Sequence, residues 1–432
     1  MISWAKRLVR AYLENLDKKL MRERPGHLRL KDVRTRTVVT RFGPVEIRRR
    51  MYLDLETGSY RYLLDERLKL RPRERVTRGV KADAVLLASR HPFREASRLL
   101  GWKVSHTSVH AWTQQVGEAC RRHVAELRRR VFGLGRALEG AGRRVAALFC
   151  EADGVVIRLQ REARRVAEAK LAIVHAGWER VHPSARAFRL KDKLVYASMQ
   201  GAEAFWESVT VLVARRWGNP EAVKVVGGDG AGWVKTALDY FPSAVYQLCR
   251  FHLMRWIRRC LGWCPERLRR VLAARDDPEA LLYEAGIAVL KAPGPEEEAL
   301  ARELVVYLAA NEDGLADYRS RVKVEGMKLR GLGAIEGNVD KKIALRMKKR
   351  GMAWTRRGAE NMLALLGLEA SGMPLPAVWD EDGAVEKRPE PEARRKVAAR
   401  RGGAAPVHMP ILDSGRPLAK ALRRLAAPQW PL

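Results

Sequence analysis

Between about residues 145 and 264 the sequence alternates strand-like and helical runs, and this alternation restricts the possible folds more than any other feature. Three strand-like runs come first: RRVAALFCEADGVVIRLQ, KLAIVHAGWERV and KLVYASMQG. A helical run, AFWESVTVLVARRWG, precedes a buried strand in AVKVVGG, a Gly-rich turn and a helix; a further strand and helix follow in AVYQLCRFHLMRWIRRCL. This order predicts an α/β sheet with antiparallel and parallel parts.

The rest of the chain divides around this core into segments of different composition. The tail is rich in proline, glycine and arginine, and the segment within the core is helical in pattern. In chain order we predict a basic N-terminal helix and β-hairpin region (1–76), a helix-turn-helix-like region (77–132), the first part of the core (145–264), a helical insertion (265–325), a helix that completes the core (326–372) and a Pro/Arg-rich tail (373–432).

Two structural signals precede the core. Alternating residues predict a β-hairpin with its turn at Gly43-Pro44, after a basic helix from residue 1 to about 35. Further on, a helix, a Gly-containing turn and a second helix follow one another, and Ser105 is a suitable N-cap for the second. The pattern is typical of a helix-turn-helix that presents His106 and Thr107 to DNA bases, although an ordinary helical hairpin has the same pattern.

The net charge indicates which partner the chain binds. It has 83 Lys and Arg against 50 Asp and Glu, so its formal net charge is +33. An excess of this size favours DNA, because neutralised phosphates release their counterions; a solvated basic surface is the alternative. A membrane surface ranks below DNA, since no concentrated basic amphipathic helix is evident. The residues expected to contact DNA are Arg48, Arg49, Arg50, His106, Thr107, Lys341, Lys342, Arg346, Lys348, Lys349 and Arg350.

Three carboxylates are candidates for a metal site. Asp153 and Asp229 each form an Asp-Gly step that we expect just past a buried strand, where α/β sheets gather their ligands. Glu336 heads a strongly basic helix, in which an isolated acid is unusual. Carboxylate oxygens suit Mg²⁺, and two such ions can clamp a phosphoryl transfer. Structural ion pairs and a helix N-terminal carboxylate are the alternatives.

Cysteine and histidine residues offer weaker signals. Cys249 and His252 form a C-x-x-H step, and Cys260 and Cys264 follow closely, so the four could bind zinc, although all would lie on one helix. A nucleophilic Cys249–His252 pair lacks a visible third group to orient it. The chain has five cysteines, an odd and sparse number that fits a reducing cytoplasm.

Three blocks of sequence together show a resemblance to a known family. They are EADGVVIRLQ with EAKLAIVHAGW, then GDGAGWVKTALDYFPSAVYQLCRFHLMR, then GAIEGNVDKKIALRMKKRGMAW. In this order they resemble the ISLre-two family of bacterial insertion-sequence transposases, from about residue 38 to about 370. The resemblance implies a DDE transposase with an α/β RNase H-like catalytic core and an all-α insertion, preceded by a basic β-hairpin and a helix-turn-helix-like α domain.

The resemblance also implies roles for individual residues. Asp153, Asp229 and Glu336 would be the catalytic triad holding two Mg²⁺ (or Mn²⁺) ions, supported by Cys249 and His252. The reaction would be a two-metal phosphoryl transfer that cleaves the ends of the element and joins the freed 3′-OH to target DNA.

The expected partners follow from that reaction. They are the terminal inverted repeats and the target DNA, bound by a homodimer or higher oligomer at the nucleoid in the bacterial cytoplasm, with no membrane involved. A nuclease of the same fold without strand transfer and a non-catalytic, domesticated DNA-binding protein are the alternatives.

Overall fold

The chain folds into two compact units. The computed structural model describes residues 2–101, 103–136, 138, 143–217 and 222–376. Among the described residues, the first unit contains those up to 123, 158–165 and 342–376, and the second contains 124–157 and 166–341. From 377 on, the predicted tail (373–432) lies outside the described residues.

The described chain contains both helices and strands, and its last part is helical. The first elements are α1 (Ile2–Arg22), β1 (Leu28–Thr40), β2 (Gly43–Asp54), β3 (Tyr60–Arg61), α2 (Leu63–Arg67), α3 (Arg78–Ala88), α4 (Phe93–Leu99) and α5 (His106–Arg128). Next come β4 (Ala147–Arg158), β5 (Val166–His175), β6 (Trp178–Arg180), β7 (Phe188–Leu190), β8 (Leu194–Ser198), α6 (Ala202–Trp217), β9 (Val223–Gly228), α7 (Gly232–Lys235), α8 (Ala237–Tyr240), β10 (Val245–Leu248) and α9 (Arg250–Leu261). The last are α10 (Pro265–Ala273), α11 (Pro278–Leu290), α12 (Pro295–Ala310), α13 (Glu312–Leu315), α14 (Tyr318–Arg321), α15 (Ala334–Asn338), α16 (Leu345–Met347) and α17 (Arg356–Ala370).

Helix α1 ends at Arg22, well short of the predicted residue 35. Pro25 and Gly26 follow it, and β1 begins at Leu28. Proline disfavours helical backbone in the residue before it, so the helix ends ahead of this pair. The apolar face of α1 packs through Leu13 onto the hairpin of β1 and β2.

The β-hairpin turns two residues earlier than predicted. Thr40 of β1 lies opposite Gly43 of β2, so the loop is Arg41-Phe42, and Pro44 already lies within the second strand. Gly43 has φ +110°, which residues with a side chain rarely adopt. The glycine is therefore needed where the second strand starts, and the prediction of a Gly43-Pro44 turn is wrong.

Three helices follow, in the order that the helix-turn-helix pattern predicted. Helices α3, α4 and α5 enclose a small core that includes Val80, Ala96 and Val109. The N-cap prediction is confirmed, since Ser105 Oγ accepts a hydrogen bond from the Ser108 backbone N–H at 3.1 Å. His106 and Thr107 are exposed in the first turn of α5.

Two arginines predicted to contact DNA form ion pairs inside the first unit. Arg49 pairs with Asp65, and Arg50 pairs with Asp17. Burial lowers the pKa of Arg49 to about 10. Nearby buried acids already neutralise part of this charge, and the contact of both arginines with DNA remains a prediction. Arg48 is exposed, and its assignment remains a prediction.

Arg346, also predicted to contact DNA, is buried. Its guanidinium lies 5.3 Å from the Phe93 ring centre and 5.0 Å from that of Trp354, and its Nε donates to the Ala88 carbonyl at 2.7 Å. Burial lowers its pKa to about 10. The DNA assignment of Arg346 is wrong, because the side chain points inward from its helix.

The other basic residues of this stretch differ in accessibility. Lys342 is half-buried and forms an ion pair with Glu369 at 3.1 Å, so part of its charge is already neutralised. Four of them are exposed, and their contact with DNA remains a prediction: Lys341, Lys348, Lys349 and Arg350.

We expect Arg346→Ala to lower the free energy of unfolding by about 2–4 kcal/mol, because it leaves a cavity between two rings and an unpaired carbonyl. Lys348→Ala, two residues away and exposed, should change it by less than about 0.5 kcal/mol. Urea titration followed by circular dichroism measures both. Equal stability of the two variants would contradict the structural role of Arg346.

The second unit contains a five-stranded mixed sheet with the strand order β10-β9-β4-β5-β8. Strands β4, β9 and β10 pair in parallel, whereas β8 is antiparallel to β5. The predicted mixture of parallel and antiparallel strands is therefore confirmed. Successive side chains of β4 point to opposite faces and enter two hydrophobic cores. Leu148 lies in the larger core and Phe149 in the smaller one.

Helices α9 to α14 follow the sheet. The segment Pro293-Gly294-Pro295 separates α11 from α12, and Asp277 caps α11 by accepting hydrogen bonds from two backbone N–H groups. Gly351, which has φ +65°, lies between α16 and α17. No helix in the described part of the chain is both long and apolar enough to cross a membrane.

Candidate active site

Three residues that the sequence singled out lie in one row across the parallel strands. Gly228 of β9 pairs with the residue before Asp153 in β4 and with the residue before Cys249 in β10. Asp153, Asp229 and Cys249 are thus each one residue beyond a paired position, on strands about 4.8 Å apart. This is the edge at which α/β sheets bind ligands.

Asp153 lies within β4, and the prediction that the strand ends before it is wrong. The strand continues to Arg158. The Asp153-Gly154 step suggested a turn because both residues are uncommon in strands. The structure gives this glycine another role: a Cβ there would lie 2.3 Å from Glu168 Oε1 on β5. Gly154 leaves room for the Glu168 side chain.

Asp229 begins the loop after β9, and helices of the insertion hold this loop. Its Oδ1 accepts a hydrogen bond from the Ala231 N–H at 2.9 Å. The Tyr307 hydroxyl of α12 donates to the Asp229 backbone carbonyl at 2.9 Å. Gly230 has φ +92°, and a Cβ there would lie 2.5 Å from the buried Asn311 Oδ1. The insertion therefore fixes the backbone on which Asp229 is placed.

Glu336 of α15 meets the two residues of the C-x-x-H step. Cys249 Sγ donates a hydrogen bond to Glu336 Oε1 at 3.1 Å, and His252 Nδ1 lies 3.3 Å from the same oxygen. Cys249 is the N-cap of α9 and His252 is in its first turn. Cys249 and Glu336 raise the pKa of His252 to about 10, so its imidazole is protonated at neutral pH. Although burial opposes it, His252 and Cys249 lower the pKa of Glu336.

Negative charge is concentrated around Asp153. Its side chain is buried, with 8% of the residue exposed. Burial and the nearby Glu336 carboxylate raise the pKa of Asp153 to about 6, and Asp229 adds a smaller effect in the same direction. The hydrogen bond from the Gly154 backbone N–H and, to a smaller extent, the charge of His252 compensate only in part. Asp153 is thus subject to the charges of two other carboxylates and one imidazolium, an arrangement that favours a bound cation.

The zinc alternative finds little geometric support. The potential ligand atoms of Cys249, His252 and Glu336 lie within 4.8 Å of one another. Among the described residues this group includes neither Cys260, which is buried in the larger core, nor Cys264, which caps α10. The site therefore combines the C-x-x-H step with a carboxylate of the predicted triad.

Two groups that support the site are not predicted from the sequence. Glu151, two residues before Asp153, accepts hydrogen bonds from the backbone of Gly333 and Ile335, just before Glu336. Tyr307 bonds the Asp229 loop, as described above. The strand alternation could have indicated Glu151, because residues two apart on a strand face the same side. No local pattern indicates Tyr307.

Comparison with known proteins assigns the family. The structure is that of an α/β protein with a mixed sheet, whose parallel strands bring carboxylates together. The chain belongs to UPF0236, an uncharacterised protein family whose sequence profile matches residues 3–382.

Individual members of this family are distant relatives. A UPF0236 protein of Caldanaerobacter subterraneus subsp. tengcongensis, whose name joins eleven locus designations from TTE0033 to TTE2212, is 23% identical over 375 residues, which are 84% of this chain and 74% of that protein. The UPF0236 protein in the vanSb 3′ region of Streptococcus gallolyticus is 23% identical over 379 residues, 84% of this chain and 78% of that protein.

We expect Asp153→Asn to stabilise the metal-free protein by about 1–3 kcal/mol at pH 7. The pKa of Asp153 is raised from its ordinary value of 3.8 to about 6 in the folded state. The folded protein therefore loses stability as the pH rises through this range, because ionised Asp153 is disfavoured in the fold. The variant and the wild type should therefore have similar stability below about pH 4 and differ above about pH 6.

Urea unfolding at several pH values in EDTA measures this difference. Asp239→Asn, at an exposed position, is the matched control and should change stability by less than about 0.5 kcal/mol. An Asp153→Asn variant less stable than the wild type at pH 7 would contradict the electrostatic account.

Proposed function

We propose that this protein is a metal-dependent DDE transposase with Asp153, Asp229 and Glu336 as its catalytic carboxylates. The observation that supports this most strongly is their convergence at one place on the sheet, where Asp153 lies within β4, Asp229 directly follows β9 and Glu336 approaches from α15. Glu336 follows Asp229 by 107 positions (336 − 229), so the cluster is not a local ion pair. A buried acid whose pKa is shifted by nearby charges is typical of functional sites. The mixed sheet supports the RNase H-like core that the sequence resemblance implies.

The three side chains fit Mg²⁺ or Mn²⁺. Both ions prefer oxygen ligands, and the raised pKa of Asp153 reflects negative charge that a divalent cation would neutralise. Asp153, Asp229 and Glu336 would hold two ions, which supply activation of the attacking oxygen and charge stabilisation of the transferring phosphoryl group. The site needs no serine or tyrosine nucleophile for this chemistry.

The remaining residues of the site orient these carboxylates. Cys249 and His252 both contact the same oxygen of Glu336, so they restrict its rotamer. Protonated His252 also adds a positive charge where a phosphate would enter. Tyr307 fixes the backbone of Asp229. Such preorganisation is what in-line phosphoryl transfer requires from a protein.

We assign recognition of DNA ends mainly to the first unit. His106 and Thr107 are exposed at the start of α5, and Arg48 is exposed on the hairpin. The charge of +33 supports a nucleic-acid partner.

The names of the relatives support the proposal that the gene belongs to a mobile element, since one Caldanaerobacter sequence has eleven locus designations and another has four. A gene that copies itself within a genome would produce such repetition.

Substitution of the carboxylates tests the proposal. Asp153→Asn, Asp229→Asn and Glu336→Gln should each lower metal-dependent cleavage of a duplex ending in the sequence that flanks the gene by about 10³-fold or more, since each removes a ligand worth several kcal/mol. DNA affinity, measured by fluorescence anisotropy, should be largely retained. Asp239→Asn serves again as the control and should cleave like the wild type.

The wild-type products separate the alternative functions. Transposase activity gives joined products with target DNA when paired ends are supplied with Mg²⁺ or Mn²⁺. Cleavage without joining would instead indicate a nuclease, and DNA binding without cleavage a non-catalytic protein. Full activity of any one carboxylate variant would remove that residue from the site.

His252→Ala should reduce cleavage about 10²-fold, the scale typical of a positioned protonated group. Glu336 would lose the imidazolium that holds it. His182→Ala, at an exposed position in the loop between β6 and β7, is the control. Elemental analysis accompanies the assay: one Zn²⁺ per chain and unfolding on chelation would contradict the assignment and favour a structural zinc site.

A further inference from the structure

Glu151 is a buried carboxylate on the strand that bears Asp153. It is 2% exposed, and strand alternation places its side chain on the same face as Asp153. Glu151 Oε2 accepts hydrogen bonds from the backbone N–H groups of Gly333 at 2.8 Å and Ile335 at 3.2 Å. A carboxylate is costly to bury unless it is hydrogen-bonded, so these two bonds identify what the side chain does here.

The two N–H groups belong to the start of α15. Gly333 precedes this helix, Ile335 is its second residue, and Glu336 comes next. The first N–H groups of a helix have no acceptor within the helix, so Glu151 supplies one. It thereby fixes the backbone immediately before Glu336.

The loop before α15 is held at further points. Leu332 packs on β9 so closely that a Cβ on Gly227 would lie 2.7 Å from its Cδ1. The Tyr318 hydroxyl donates to the Arg330 carbonyl. Gly333 has φ +139°, which favours glycine at the point where the chain turns toward Glu151. The segment therefore follows a defined path to Glu336.

The other oxygen of Glu151 faces His175. Glu151 Oε1 lies 3.7 Å from His175 Nε2, and neither atom has a hydrogen-bond partner among the residues that the structure describes. His175 Nδ1 is 2.9 Å from the Gly177 carbonyl. An amide in place of the carboxylate would keep the acceptor for α15, and its NH₂ group would face His175.

We infer that Glu151 is a positioning residue, which fixes Glu336 relative to Asp153; this inference rests on the proposed function. One strand then determines the placement of two of the three carboxylates. Asp153 projects from β4 itself, and Glu336 is placed through the hydrogen bonds of Glu151. Loss of these bonds would leave the ligands present but displaced.

Two substitutions of Glu151 in the full chain separate positioning from bulk stability. Glu151→Met keeps the volume but removes the acceptor, and Glu151→Gln keeps an acceptor oxygen for both N–H groups. Leu148→Ala, on the same strand but facing the opposite core, is the control for destabilisation alone. Glu151→Ala replaces the Met variant if that variant does not fold.

Three measurements are compared. With Glu151→Met, the Mg²⁺ concentration for half-maximal cleavage of the end duplex should rise about 10–100-fold, the usual effect of removing a partner that orients a metal ligand. Hydrogen exchange should accelerate in residues 331–338. Mn²⁺ added without DNA should raise the melting temperature of this variant only at higher ion concentrations than the wild type needs. Glu151→Gln should resemble the wild type in all three measurements.

The outcomes distinguish this inference from the proposed function. Wild-type metal dependence in Glu151→Met, an equal defect in Glu151→Gln, or the same shift in Leu148→Ala would each overturn the positioning role while leaving the transposase proposal intact. A wild-type protein that binds Mn²⁺ but does not cleave DNA would contradict the function alone, and exchange and melting data would then decide the positioning role. A wild type that does not respond to either ion overturns both.

Discussion

The backbone pairing of β4, β9 and β10 is the constraint on which the site depends. Because Gly228 pairs with both neighbouring strands, its hydrogen bonds set the positions of Asp153, Asp229 and Cys249 at once. A slip of one residue in any strand would turn its side chain to the opposite face. The pairing also needs a residue without a side chain at this point, since a Cβ on Gly228 would lie 2.4 Å from Val234 Cγ1.

From this row the site extends by contacts between distant segments. Cys249 and His252 reach Glu336, and Glu151 holds the backbone that leads to it. These contacts place Asp153 in a buried position near other carboxylates. Burial and the repulsion between the negative charges raise its pKa. A sheet that only had to be stable would not place acids there. Burying these acids lowers the stability of the fold, as is expected where a function requires a strained site.

The sequence predicts those features that depend on local patterns. The mixed sheet follows from the order of strand-like and helical runs, and the meeting of Cys249 with His252 follows from their spacing. The Asp-Gly step predicts a turn and so places Asp153 after its strand, whereas in the structure Gly154 only makes room for Glu168. Arg346 donates to a backbone carbonyl 258 positions away, and Glu151 accepts from a backbone N–H group 182 positions away. No local pattern therefore shows that Arg346 is buried or that Glu151 orients the site.

The hydrogen bond from Tyr307 to the Asp229 carbonyl joins residues 78 positions apart and gives the helical insertion a part in the site. Although the insertion has the length and periodicity of an independent module, it is not interchangeable as one. A chimera that exchanged it between family members would have to transfer the loop around Asp229 as well, or preserve both ends of this bond. The two segments are therefore expected to diverge together, so that changes in α12 are matched by changes in the loop that it holds.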